Sequence, residues 1–212
     1  MEPNVKYNSD ESILLILKHE GGFVDHPRDP GGATNRGVTI GTLRGLGMDL
    51  DGDGDVDVSD LKQLTEADAV KVYKRFYWDK VEGDLLPSGI DYTVADFAVN
   101  SGPKRAAQHL QRALGVTDDG DIGPVTIEAA LNADHVTVID AVNDSRLQFM
   151  MRLKIWPTFK NGWSRRVREV RAHSTSMVTS ARKLAPITIV RPKPQPTLWS
   201  LIVSMLIRGN KP

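Results

Sequence analysis

Glycines and prolines fall where the apolar runs of this chain end, and they cut it into lengths that suit helices. Ile13 to Leu17 (Ile-Leu-Leu-Ile-Leu) is apolar on nearly every side and stops at Gly21-Gly22. With Asn8 or Ser9 as N-cap and Glu11 in the first turn, it reads as a short buried helix that the glycine pair terminates. Leu61 to Phe76 reads as a second helix, with Thr65 capping and Glu66 and Asp68 in the following turn. Val94 to Leu114 is helical with a break near Ser101-Gly102-Pro103, and Pro103 suits a first helical position. Beyond the break Ala106, Ala107, Leu110, Ala113 and Leu114 recur at helical spacing. Pro124 opens another helix through about Asn132, and two long helices follow, about 135–155 and 163–184. Trp156 and Trp163 flank Pro157 and Gly162 between them, where packing at a helix junction is expected.

The first of these helices carries a carboxylate to a loop. Glu20 stands at its end, where apolar surroundings and the negative end of the helix dipole both disfavour the ionised form. Such a carboxyl can donate a proton to a leaving oxygen. Asp29 follows between Arg28 and Pro30-Gly31-Gly32, a solvated position that keeps it ionised, and Thr34 lies just beyond. Two carboxylates in unlike environments are what glycoside hydrolysis uses. His19-Glu20 invites a zinc-protease reading, but Phe23 stands where His-Glu-x-x-His needs its second histidine.

Glu20-Gly21-Gly22-Phe23, Asp29-Pro30-Gly31-Gly32-Ala33-Thr34 and Gly37-Val38-Thr39 resemble the glycoside hydrolase family 108 muramidases. These occur in phage endolysins and as secretion-associated bacterial enzymes. The resemblance continues through Tyr73 to Trp78 and through Asp96 to Pro103, and spans roughly residues 10 to 170. It implies a mainly α, lysozyme-like fold and cleavage between N-acetylmuramic acid and N-acetylglucosamine in peptidoglycan. It implies Glu20 as the catalytic glutamate. The Glu…Asp…Thr order is also similar to that of phage lysozymes, with the hydroxyl one residue nearer here. Asp29 then stabilises an oxocarbenium-like state, activates water or attacks directly. Leu110 to Gly115 with Asp119 to Thr126 looks like the family's predicted peptidoglycan-binding segment. A lytic transglycosylase using the same acid, and a non-catalytic wall-binding protein, are the alternatives.

Residues 49 to 60 hold six aspartates in twelve positions and fit an EF-hand-like calcium loop. Asp49, Asp51 and Asp53 take the first, third and fifth positions, Gly54 the turn, Asp55 a backbone carbonyl, and Asp60 the closing acid. So many like charges repel unless a cation neutralises them. A single such loop favours one structural calcium, inserted in the helical fold, over a sensor. Trp78, Tyr92, Asp96 and Asn100 are the candidates for lining a sugar cleft, since polar groups bind hydroxyls and aromatic faces stack on rings.

The formal net charge of zero gives no general grip on nucleic acid, and without cysteine there is neither a disulfide frame nor thiolate chemistry. The expected organisation is a catalytic region, 1–93, that includes the calcium loop. A helical peptidoglycan-binding region, 94–185, completes the core, and a Pro-rich linker with a short apolar tail covers 186–212. Met1 to Lys6 lacks the basic and apolar parts of a signal peptide. The expectation is therefore synthesis in the host cytoplasm, a holin-type exit and action on the wall in the periplasm. Arg165, Arg166, Arg168 and Arg171 read as a solvated helix face or as a contact for anionic polymer or membrane. Leu198 to Ile207 is too short to span a bilayer and suits packing on the body, self-association or a membrane interface.

Overall fold

The computed structural model describes residues 6–25 and 32–184. Asp29, the Pro-rich linker and the apolar tail therefore lie outside the described residues. The described residues up to Arg182 belong to one compact unit. Among the described residues the fold is mainly α and lysozyme-like, with one two-stranded hairpin.

In order, α1 (Lys6–Leu17) leads to a hairpin of β1 (Thr34–Asn35) and β2 (Val38–Thr39), then α2 (Ile40–Leu46), α3 (Val58–Gln63) and α4 (Glu66–Tyr73). A π-helical turn, Lys74–Trp78, and two short 3-10 turns carry the chain to α5 (Ile90–Ser101). Then come α6 (Pro103–Leu114), α7 (Pro124–Asn132), α8 (His135–Met151) and α9 (Trp156–Leu184). No helix among the described residues is long and apolar enough to cross a membrane.

Helix α5 is the axis. Every residue from Ile90 to Ala98 is buried, so this helix presents no solvent face over most of its length. It packs against α1, α6 and α8. Gly102 then breaks the helix with φ of 91°, and Pro103 starts α6, as the Ser-Gly-Pro spacing predicts. Helix α9 joins the same core through Val167, Val170 and Val178, and through a buried hydroxyl pair, Thr93 Oγ1 to Ser174 Oγ at 2.7 Å.

Several expectations about helix ends need correction: the helix expected from Leu61 to Phe76 is two, α3 and α4, broken before the Thr65 cap, α8 stops at Met151, and α9 begins already at Trp156. Helix α1 already runs through Asn8 and Ser9, so neither is its N-cap. It also ends at Leu17, short of Glu20, because the amides of His19 and Glu20 bond to carbonyls three residues back, Ile16 and Leu17. That tightened turn points the chain away from the helix axis before the glycines arrive.

Candidate active site

Glu20 emerges from this turn half-buried, with 21% of its side chain accessible. It does not sit in an apolar pocket. Arg166 on α9 reaches it and donates from Nη1 to Glu20 Oε1 at 2.9 Å. The same guanidinium donates from Nε to both oxygens of Asp96, at 3.0 and 3.2 Å, and its Nη2 lies 2.9 Å from Asp96 Oδ2 in an ion pair. Behind Asp96 stands Arg146 of α8, which donates from Nη1 at 2.7 Å and covers the Phe97 ring. Asp96 and Arg146 have no accessible side-chain surface. Charges therefore alternate in a row, Glu20, Arg166, Asp96, Arg146, from the open end of the site to the core.

Alternation makes the row tolerable. Burial alone would raise Asp96, but Arg146 and Arg166 hold its carboxyl below the usual range. Burial would likewise lower Arg166, and Asp96, then Glu20, hold it above its ordinary value. Neighbouring His19 is pushed down by burial and then by Arg166.

The opposite wall of the Glu20 site is tyrosine and glycine. The π-turn brings Tyr77 beside Tyr73 of α4, with ring centroids 5.3 Å apart and planes tilted at 50°. Burial pushes both phenols up, and the Glu20 charge adds to the effect. Tyr73 is thus a neutral donor, and its hydroxyl bonds the carbonyl of Arg36 at 3.2 Å. Arg36 and Gly37 form the hairpin turn with φ of 51° and 74°, the two positive values that a tight two-residue turn demands. A side chain on Gly37 would collide with the Tyr73 hydroxyl and come 3.0 Å from Glu20 Oε2. The bare glycine keeps this approach open.

Thr34 stands on β1 of that hairpin, bridged by its backbone to Val24, and its hydroxyl makes no hydrogen bond with a described side chain. Of the four expected cleft residues, three are core. Trp78 is fully buried and donates from Nε1 to Asp84 at 2.8 Å. Tyr92 is fully buried, with its hydroxyl unpartnered, and Asp96 is the hub just described. These rings offer no face to a sugar. Only Asn100 keeps exposed surface, at the end of α5.

Residues 13–102 match the family model for glycosyl hydrolase 108. The solved structure of Brucella abortus SagA is 39% identical, with a TM-score of 0.69, and the match covers 81% of this chain and 96% of that one. The chain belongs to the glycosyl hydrolase 108 family. Residues 105–168 match the model of a predicted peptidoglycan domain, so this family member is a peptidoglycan hydrolase of the muramidase type. Comparison with curated proteins gives no match. The Glu20–Arg166 contact joins one matched segment to the other.

In this hydrolase the acidic loop forms two carboxylate groups. Asp49, Asp51 and Asp53 bring oxygens together in one, and Asp55, Asp57 and Asp60 in the other. Gly54 has φ of 98°, as a turn glycine should, and the Asp49 carboxylate accepts from the amides of Gly52 and Gly54. Asp51 is pushed up by desolvation and by its acidic neighbours, and Asp55 chiefly by Asp53. Asp60, the expected closing acid, also binds the loop's own backbone. It is buried, and its oxygens accept from the amides of Asp57 at 2.7 Å, Leu50 at 2.6 Å and Asp51 at 3.2 Å. Asp57's amide first, then the others, hold it below its usual range. With Asp57 as N-cap it forms a capping box on α3. The first group thus fits a cation with carboxylate oxygens, while Asp60 closes the loop through backbone.

Sequence reasoning missed Arg166, Arg146, Tyr73 and Tyr77 as site residues. Helix phase carried a signal for the first. Arg166 lies three residues after Trp163 and four before Val170, on the apolar stripe of α9, whereas exposed Arg165 and Arg168 lie off it.

Proposed function

We propose that this hydrolase is an N-acetylmuramidase that cleaves the bond between N-acetylmuramic acid and N-acetylglucosamine, with Glu20 as general acid. The observation that carries the reading is a partly open carboxylate held by Arg166 and bordered by Gly37 and Tyr73. Protonated Glu20 gives its proton to the glycosidic oxygen, the C1–O bond breaks, and an oxocarbenium-like charge develops on the sugar. Arg166 then stabilises the carboxylate left behind, which favours proton release. Water completes the hydrolysis, with Asp29 as the second carboxylate and Thr34 as a further candidate. The reading includes a holin-type exit from the cytoplasm to the wall.

Mass spectrometry of fragments released from purified peptidoglycan tests this. Wild type should yield products with reducing N-acetylmuramic acid ends, and Glu20→Gln should yield almost none. Anhydro-sugar ends would mark a transglycosylase, and undiminished release by Glu20→Gln would remove Glu20 as the acid.

The reading also includes one structural calcium at Asp49, Asp51 and Asp53, with the Asp55 carbonyl and Asp60 completing the loop. It would cancel the charge of the exposed trio and pin the loop against α3. A chelator should lower the melting temperature of wild type and leave Asp49→Ala/Asp51→Ala unaffected. An unchanged wild-type melt in excess chelator rules calcium out.

A further inference from the structure

The first two turns of α9 carry rings that the core does not cover. Phe159 and Trp163 stack with centroids 5.5 Å apart and planes at 18°, and Trp156 lies 6.2 Å from Trp163. Phe159 is 48% exposed and both tryptophans are half-buried, and all three lie within α9 rather than at the expected junction between two helices. The rings also have a place in the helix. Trp156, Phe159, Trp163, Val167 and Val170 share one face, at spacings of three and four. From Val167 onwards that face is buried against the core. Before it, the same apolar stripe runs past the edge of the core. Arg166 stands where the two parts meet, and Arg166 holds Glu20. Trp163 precedes it by three residues, about 4.5 Å along the axis, and Phe159 by seven, about 10 Å. These two rings therefore lie one and two turns before the arginine that holds Glu20, on the same helix.

We infer that Phe159, Trp163 and Trp156 form an aromatic platform that holds a peptidoglycan glycan strand leading into the Glu20 site. The inference rests on the function proposed above. The outer face of such a stacked pair is a flat apolar surface against which the CH face of a pyranose stacks. Exposed Lys160 follows Phe159 on the same helix, which suits a strand whose peptides carry carboxylates. The rings also fall inside the segment, 105–168, that matches the predicted peptidoglycan domain. Wall recognition and bond cleavage thus share one continuous track, with α9 belonging to both.

The probe is the N-acetylglucosamine tetramer, titrated by tryptophan fluorescence into Glu20→Gln so that no turnover intervenes. Phe159→Ala and Trp163→Ala, each added to that background, should weaken binding about tenfold. In the active enzyme the same changes should raise KM for wall fragments by about that factor while kcat stays within about threefold. Phe159→Ala, at the more exposed ring, should melt with wild type and separates binding from folding. Unchanged tetramer affinity and KM in a folded Phe159→Ala enzyme overturn the platform. So does a wild-type dimer that Phe159→Ala converts to monomer without altering KM, since the rings then face a second copy. These outcomes are distinct from failure of the proposed function, in which wild type releases no reducing muramic acid ends whatever the rings do.

Discussion

Replacing Asp96 with asparagine keeps the shape of the hub beneath Glu20 and removes its charge. In the native protein the Asp96 carboxylate accepts from Arg146 at 2.7 Å and from Arg166 at 3.0 and 3.2 Å. Arg146 has no accessible side-chain surface, and its Nε and Nη2 already lack partners. Asp96→Asn therefore strands a buried cation. Removing one partner of such a pair costs about 3–5 kcal/mol. For a unit of this size each kcal/mol moves the melting temperature by about 2–4 °C, so the expected fall is about 6–20 °C. The pH dependence has a definite sign. A carboxyl whose folded-state pKa is lowered contributes fully above the unfolded value, 3.8, and loses its contribution as pH falls through the lower folded value. The gap between wild type and variant should hold from neutral pH to about 4 and narrow only in stronger acid. Thermal melts followed by circular dichroism across that range measure it, and fragment release well below the melt reports the effect on Glu20. Activity should fall, because Arg166 loses the carboxylate that anchors it. A loss under about 1 kcal/mol, or a gap that already closes near pH 6, would refute the argument.

Gly37→Ala should cut activity by at least about tenfold and cost about 1–3 kcal/mol, since its φ of 74° disfavours a side chain and the new methyl meets the Tyr73 hydroxyl and Glu20; normal turnover and melting would contradict the crowding. His109 is pushed down to about 4 by burial and then by Arg112, and its Nδ1 lies 2.8 Å from Ser145 Oγ. The unfolded chain takes up this proton first, so stability should decline as pH falls from about 6.5 towards 4. His109→Gln should flatten the melting temperature over that interval, and an unchanged slope would discharge His109 from the effect.

Much of the helical frame is readable from Gly102, Pro103 and Pro124, because backbone freedom and a missing amide act locally. Glu20 is readable as well, since its neighbours form a recognisable motif. Its environment is not, because that environment comes from α9. Four arginines close together look alike in sequence, and only the phase of the helix separates Arg166, which turns inward, from Arg165 and Arg168, which do not. Trp78 and Tyr92 fail as cleft residues for a related reason. A large ring with one polar atom serves a core or a sugar site equally well, and packing against α5 and its neighbours decides for the core. The acidic loop is legible in composition and spacing but not in how Asp60 uses its oxygens, because the backbone competes for them as a cap.

The contact between Glu20 and Arg166 also has a consequence in time. The two residues are 146 positions apart, so the glutamate leaves the ribosome long before the arginine exists. At about 5–20 residues per second the interval is roughly 7–30 s. Throughout it the nascent chain holds an acid without the cation that orients it, and the loop closure that unites them waits for α9. A chain cut short anywhere before that helix has the motif of a wall-degrading enzyme but an unfinished centre. Among the described residues α9 is the last helix to be made, so Glu20 gains its cationic partner only when that helix is complete.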